Sequence, residues 1–415
     1  MKAIAFAFLI FLVPGNLSAQ AQEPSAPPAQ SQSAEERLKA LEERLRALET
    51  ELEALKAGQA ARPAPEAAPA PALPAATAQG TPRPVSSGGA GAGANLLNPG
   101  ISVIGNFLGG VGRNTVRPVP VLEMHETEIA FQAIVDPYAR ADFFVSLTPE
   151  GIELEEGYLT FTSLPGGVVA KVGKMRAAFG KVNALHNDGL PWTDRPLVTE
   201  NLAAGEEGIN DAGISLTRIL PAPKNLFLEV TGQVYRGESE GLFTSDRKRD
   251  VTFVGHLRGY RDISESVNVD LGFSYARGHN DAGPGTFTQL YGADATVRWK
   301  PLRRAIYNSF LGRAEFIWSN RQQAPFTQRA FGMYASGEYR MNRRWTVGGR
   351  FDFSDRPQDA TLTDKGFSAL LTYWPSEFSQ IRGQYRFARY AEGIDANELR
   401  FQLLFNLGAH GAHPF

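Results

Sequence analysis

A chain of 415 residues with no cysteine, a formal net charge of −2 and 43% hydrophobic residues has no disulfide framework, thiolate chemistry or lipoprotein anchor, and gives no sign of a nucleic-acid-binding surface. Beyond its N-terminus no stretch reaches the roughly 18 consecutive apolar residues of a membrane helix. If the chain crosses a membrane it must do so as a closed barrel, because only closure satisfies every backbone group of a sheet in lipid.

The first element is an address. Lys2 precedes an apolar run from Ala3 to Val13, Pro14 and Gly15 follow, and Ala19 and Ala21 bracket Gln20, which predicts a secretory signal peptide over residues 1–21. Leu38, Leu41, Leu45, Leu48, Leu52 and Leu55 then alternate spacings of three and four, the a/d seam of a short coiled coil over 33–58. A helix this short is marginal alone, so the leucine stripe calls for partner helices. Leucine at both core positions leaves dimer, trimer and tetramer open. Residues 59–94, with Pro63, Pro65, Pro69, Pro71, Pro74, Pro82 and Pro84 followed by glycines, form a spacer with a flexible joint. The folded domain is expected over 95–415.

That domain alternates at period two. Leu399, Phe401, Leu403 and Phe405 interleave with Glu398, Arg400 and Gln402; Tyr291, Ala293, Ala295, Val297 and Trp299 with Asp294, Thr296 and Arg298; Trp345, Val347, Phe351 and Phe353 with Thr346, Arg350 and Asp352. Each strand thus has one oily and one polar face, and the runs exceed the five or six residues usual in a soluble sandwich. About sixteen such strands are expected. Short turns are predicted near Asp136–Pro137, 165–167, 221–225, 261–266, 301–305, 341–343 and 375–378. Longer polar loops are expected at 237–250, 278–288, 320–328 and 354–364. This is the asymmetry of a transmembrane barrel, short turns at the periplasmic end and long loops outside. An even strand count returns both termini to the periplasm. The segments 123–135 and 152–162 carry many carboxylates and alternate poorly.

Between the fifth and sixth strands, residues 180–208 lack strand periodicity, and structureless stretches of this length are commonly functional. The loop is net acidic: Asp188, Asp194, Glu200, Glu206 and Glu207 stand against Lys181 and Arg195. The polar faces of later strands carry Arg298, Arg313, Arg350, Arg382, Arg386 and Arg400. Glu126, Glu128 and Asp142 on early strands are candidate partners for these arginines. Catalytic signatures are wanting. There is no Gly-x-Ser-x-Gly elbow or phosphate-cradling glycine loop; His186 beside Asp188 is the nearest approach, and His410 with His413 lacks the further ligands of a zinc site. No enzyme activity, cofactor or metal is expected.

Five stretches carry a family resemblance: the opening 97–104 (Leu-Asn-Pro-Gly-Ile-Ser-Val-Ile), the turn at 135–142, the strand at 171–174, the turn at 373–378 and the ending 406–415. They resemble a family of bacterial outer-membrane porin-like barrels, often labelled zinc-regulated TonB-dependent outer membrane receptors and distantly similar to phosphate-selective porins. The stalk and linker are similar in arrangement to those of porins with a trimeric periplasmic coiled coil, and Phe415 resembles the terminal aromatic read by barrel-assembly machinery. The receptor label fits poorly, because such transporters have about 22 strands around a folded plug and residues before Asn95 have no capacity for a core.

The resemblance implies an all-β, sixteen-stranded antiparallel barrel in a Gram-negative outer membrane, in contact with its lipids and assembled as a homotrimer. It implies a passive channel for small polar or charged solutes. In general porins the third loop folds inward, so residues 180–208 are the expected constriction; acidic loop against basic wall would set a transverse field across a narrow passage. The alternatives are a structural tether with a closed barrel, reaching peptidoglycan through the stalk, and a TonB-dependent receptor-like uptake protein.

Overall fold

The computed structural model describes residues 99–408. The expected signal peptide, leucine stalk and linker, and His410, His413 and Phe415, lie outside the described residues.

Sixteen strands follow one another: β1 (Gly100–Arg113), β2 (Glu123–Asp136), β3 (Ala139–Thr148), β4 (Gly151–Leu164), β5 (Val168–Arg176), β6 (Asn210–Leu220), β7 (Leu226–Tyr235), β8 (Thr252–Ser264), β9 (Val267–His279), β10 (Phe287–Trp299), β11 (Ser309–Gln323), β12 (Phe326–Arg340), β13 (Trp345–Asp355), β14 (Thr363–Ser376), β15 (Ser379–Arg389) and β16 (Asp395–Gly408). Each pairs antiparallel with its neighbours in sequence, and β1 closes on β16. The only α-helix among the described residues is α1 (Leu197–Leu202). Sixteen strands fall short of the roughly 22 of a plugged TonB-dependent transporter, and the receptor label has no support in this architecture.

Polarity is inverted relative to a soluble protein. On β16, Leu399, Phe401 and Leu403 are exposed on the outer surface, while Glu398, Arg400 and Gln402 are buried inside. The same division runs through β8 to β15, as expected of strands that present an apolar band to lipid and polar groups to a lumen. Two outward glycines sit at the closing seam. Gly105 pairs with Phe405 and Gly109 with Phe401, and each phenyl ring lies over its glycine, so that a Cβ on Gly105 would meet the Phe405 ring at 2.2 Å.

Two β-bulges explain the poorly alternating segments. The β1–β2 register slips between Asn106 and Phe107, leaving His125 unpaired, and the β3–β4 register slips between Phe144 and Val145, leaving Glu155 unpaired. A bulge adds one residue to one strand and re-aims the side chains around it. Here it turns consecutive residues Glu155 and Glu156 both to the interior, where both are buried.

The links mostly follow the expected asymmetry, with two corrections. Residues 320–328 form no long loop: β11 and β12 run on through Arg321↔Gln328 and Gln323↔Phe326 to a link of only Ala324 and Pro325. Conversely, the link expected at 301–305 spans 300–308. The long connection after β5 covers 177–209, slightly more than the expected 180–208. It supplies the barrel with an apolar core, in which Phe179, Val182, Leu190, Trp192, Val198 and Leu202 pack with Tyr235, Leu290, Ile317 and Tyr334 of the wall.

Candidate functional site

The loop 177–209 is pinched at its base. The Ala177 amide donates to the Ile209 carbonyl at 2.8 Å; Asn183 donates to the carbonyls of Ala177 (2.9 Å) and Ile209 (3.1 Å) and accepts from the Ile209 amide at 2.7 Å. From this clamp the chain folds into the barrel and meets inward side chains from β2 round to β15.

On the β2–β4 side the wall is acidic. His186 lies between carboxylates, its Nδ1 2.6 Å from Glu128 and 3.0 Å from Glu155, its Nε2 2.9 Å from Glu156. Burial works to lower the His186 pKa, but the Glu128 charge and the bonds from Glu128, Glu155 and Glu156 outweigh it and raise it well above the usual histidine value. A carboxylate within hydrogen-bond reach of each ring nitrogen favours the imidazolium form, which can donate from both. Arg176 bonds Glu155 at 3.1 Å and the Glu207 carbonyl at 2.6 Å. Glu128, His186 and Asp188 bring ligand atoms within 4.8 Å of one another, as do Glu126, Glu128 and Glu155. With both His186 nitrogens committed to carboxylates, the arrangement is that of an ion cluster, and we assign it no metal.

Around β7–β11 the wall meets the loop with uncharged and acidic groups. The Ala178 amide donates to Gln233 at 2.7 Å and the Gly180 amide to Ser274 at 2.9 Å. Gly180 takes φ +62° there, and a Cβ would collide with Glu315, so only glycine fits this approach. Lys181 reaches Asp270 at 2.9 Å and Asp294 at 3.4 Å.

On the β13–β16 side the wall is basic and the loop presents acid. Asp194 sits between Arg350 at 3.0 Å and Arg386 at 3.2 Å, and accepts from Gln384 at 2.6 Å. Burial alone raises its pKa, yet the guanidinium groups of Arg350, Arg386 and Arg400 win and hold it below the ordinary aspartate range. Arg350 also stacks over Trp192, 4.8 Å from the ring centroid, and bonds Asp352 at 2.8 Å. Helix α1 follows, its Leu197 amide donating to Asp352 at 3.3 Å, while Glu200 pairs with Arg117 and Asn201 donates to Asp364 at 2.9 Å.

The acidic residues singled out in the loop therefore separate. Asp194 alone meets the basic wall; Asp188 is buried on the acidic side, Glu200 faces Arg117, and Glu206 pairs with His125 at 3.4 Å. Glu207 contributes its backbone carbonyl. All six arginines point inward and are buried or nearly so. Arg298 is 3.9 Å from Asp270, Arg313 2.5 Å from Glu338 and Arg400 2.9 Å from Glu398. Arg382 instead bonds the neutral Gln402 at 2.6 Å. The expected partners Glu126, Glu128 and Asp142 do not serve these arginines: Glu126 accepts from Ser146, Glu128 holds His186 and Asp142 binds Arg140. Barrel geometry is the reason, since the arginines stand on β10, β11, β13, β15 and β16, in other sectors of the wall than β2–β4. Reading by sequence missed Glu155, Glu156 and the role of His186, because a bulge breaks the period that assigns faces.

No family model matches the chain. An uncharacterized protein of Aquifex aeolicus (strain VF5) is 27% identical over 338 residues, 70% of each chain. Among solved structures, a loop-deleted form of OmpT, an outer membrane protein of Vibrio cholerae, superposes with a TM-score of 0.51 at 9% identity, covering 75% of this chain and 99% of that one. An anion-selective porin from Comamonas acidovorans gives 0.50 at 9% identity, covering 74% and 98%. At these identities the likeness is one of fold, the sixteen-stranded barrel of outer-membrane porins.

Proposed function

We propose that the chain is a Gram-negative outer-membrane porin, a passive diffusion channel for small polar or charged solutes, in which residues 177–209 narrow the lumen. One observation carries this reading: the loop is fastened by opposite charges on two sides of the barrel, His186 against Glu128, Glu155 and Glu156, and Asp194 against Arg350 and Arg386. A loop fastened on both sides of a lumen is a fixed restriction, and opposed acidic and basic walls at a low-dielectric restriction orient passing dipoles. The constriction then comprises Asp188 and Asp194 with the arginines of β13–β16. Glu200, Glu206 and Glu207 hold the loop to its surroundings.

In this reading residues 1–21 direct export, the leucine stripe over 33–58 forms a periplasmic trimeric stalk, 59–94 are its spacer, and both ends of the barrel chain lie in the periplasm. The trimer form recorded for OmpT of Vibrio cholerae belongs to that protein; here the heptad leucines are the argument for oligomers.

Liposome swelling tests the proposal. Vesicles holding the full chain should swell in small sugars and amino acids and exclude larger oligosaccharides. Vesicles that never swell would favour the other reading, a closed barrel tethering the envelope.

A further inference from the structure

Exposed cations are distributed unevenly over this barrel. At the long-loop end they are interspersed with carboxylates: Arg389 pairs with Asp395, Arg236 with Glu238 and Arg356 with Glu392, and Arg247, Lys248 and Arg249 lie between Asp246 and Asp250. At the opposite end two neighbouring links break the pattern. The link 300–308 carries Lys300, Arg303 and Arg304, the link 341–344 carries Arg343 and Arg344, Arg340 ends β12 beside them, and neither link holds a carboxylate. They adjoin because Ser309 pairs with Arg340 and Phe310 with Tyr339. Among the described residues none of these six cations is in an ion pair. Lys300 is held below the usual lysine value by burial and then by the charges of Arg298 and Arg340.

The surroundings fix the depth of this patch. Outward aromatic residues Trp299, Phe310, Tyr339, Trp345 and Tyr373 lie at or near the ends of their strands here. The Trp345 and Tyr373 rings meet at a tilt with centroids 4.6 Å apart, and Arg344 reaches the Tyr373 hydroxyl at 3.5 Å, so that the guanidinium lies on the outer surface beside them. An aromatic girdle marks the border between hydrocarbon and headgroups, which puts the cations just beyond it at phosphate depth. Leu302, Ile306 and Tyr307 are more than half exposed on the same link, an apolar edge that water alone would leave uncovered.

We propose that the links 300–308 and 341–344 form a docking surface for anionic glycerophospholipid, Arg303, Arg304, Arg343 and Arg344 taking the headgroup phosphates while Leu302, Ile306 and Tyr307 enter the acyl border. The inference rests on the membrane-spanning reading above. Charge complementarity selects the occupant: a zwitterionic headgroup offers no net charge to unpaired cations, whereas each basic residue at a membrane surface adds about 1 kcal/mol, roughly fivefold, toward an anionic one.

The test is native mass spectrometry of the full chain released from micelles holding equal phosphatidylglycerol and phosphatidylcholine. The wild type should retain phosphatidylglycerol in at least about fivefold excess; the variant R303Q/R304Q/R343Q/R344Q should show no preference. Both should keep the folded, heat-modifiable gel band and an unchanged channel conductance, since none of the four residues lines the loop. Should the quadruple variant not fold, R303Q/R304Q and R343Q/R344Q made separately should each lose part of the excess. Equal retention of both lipids by the wild type, or an undiminished excess in the variants, overturns the inference. So does displacement of phosphatidylglycerol by millimolar inorganic phosphate, which would mark a free-anion site. A wild type that never inserts into bilayers contradicts the membrane-spanning reading itself, a result separable from insertion without lipid preference.

Discussion

Asp194 in the long loop accepts a hydrogen bond from Arg350 of β13 at 3.0 Å, across 156 residues of chain. Arg386 of β15 approaches the same carboxylate at 3.2 Å. One loop residue thus ties two wall arginines, the side chains of all three buried. Removing one partner of a buried ion pair leaves an uncompensated charge and typically costs about 3–5 kcal/mol. Asp194→Asn should therefore lower the unfolding temperature in detergent, followed by circular dichroism, and should raise channel conductance as the loop loosens. An unchanged melting curve would mean that the arginines find other partners.

Arg382 provides the contrast. Its recorded bond is to neutral Gln402, so Arg382→Gln removes a lumenal charge without stranding a carboxylate. Stability should change by less than about 1 kcal/mol, while the reversal potential in a salt gradient moves toward cation preference. Arg400→Gln should shift the potential similarly but also destabilise, because it deprives Glu398 of its 2.9 Å partner.

The two sides of the loop respond to pH in opposite senses. His186 has a folded pKa above its unfolded value near 6.5, so its contribution is complete below that pH and is lost as pH rises through the folded value. Asp194 has a depressed folded pKa, so its contribution is present above the ordinary aspartate range and is lost as pH falls through the folded value. Wild-type conductance should be lowest near neutrality and rise in alkali. His186→Gln should be elevated at neutral pH and lack the alkaline rise. A variant that still tracks the wild type up to pH 10 would remove His186 from the fastening.

Barrel closure gives a prediction independent of transport. Gly105→Leu places a side chain where the Phe405 ring lies, an overpacking that costs about 1–3 kcal/mol, and should reduce the folded, heat-modifiable band on gels. Phe405→Ala in the same chain should restore it. Failure of that rescue would mean that Gly105 is needed for backbone reasons and not for the ring.

Strands were legible wherever the period of two runs unbroken, as in Tyr291–Trp299 and Leu399–Phe405, because there an apolar outer face and a polar interior alternate along the whole strand. The bulges at His125 and Glu155 hid the acidic wall, since one inserted residue reverses the faces beyond it. The 320–328 hairpin was hidden for a different reason: Arg321, Gln322, Gln323 and Gln328 belong to strand ends, where polarity on both faces resembles a loop. Missing periodicity located the long loop and its composition gave its acidity, while its inward fold was expected only from the resemblance to porins; which acid meets which wall depends on barrel closure, which no local pattern records. The basic patch at 300–308 and 341–344 likewise becomes visible only when β11 and β12 bring the two links side by side.

The account is tested most directly by single-channel conductance in planar bilayers, with the loop present and with residues 180–207 replaced by a short glycine-serine link. The Ala177–Ile209 hydrogen bond at 2.8 Å shows that so short a link can join the strands. The wild type should give small, stepwise, ohmic currents and the replacement larger ones, with a salt-gradient reversal potential that changes as the Asp194 and His186 fastenings are lost. Silence from both forms, or equal conductance with and without the loop, would contradict a lumen narrowed by these residues.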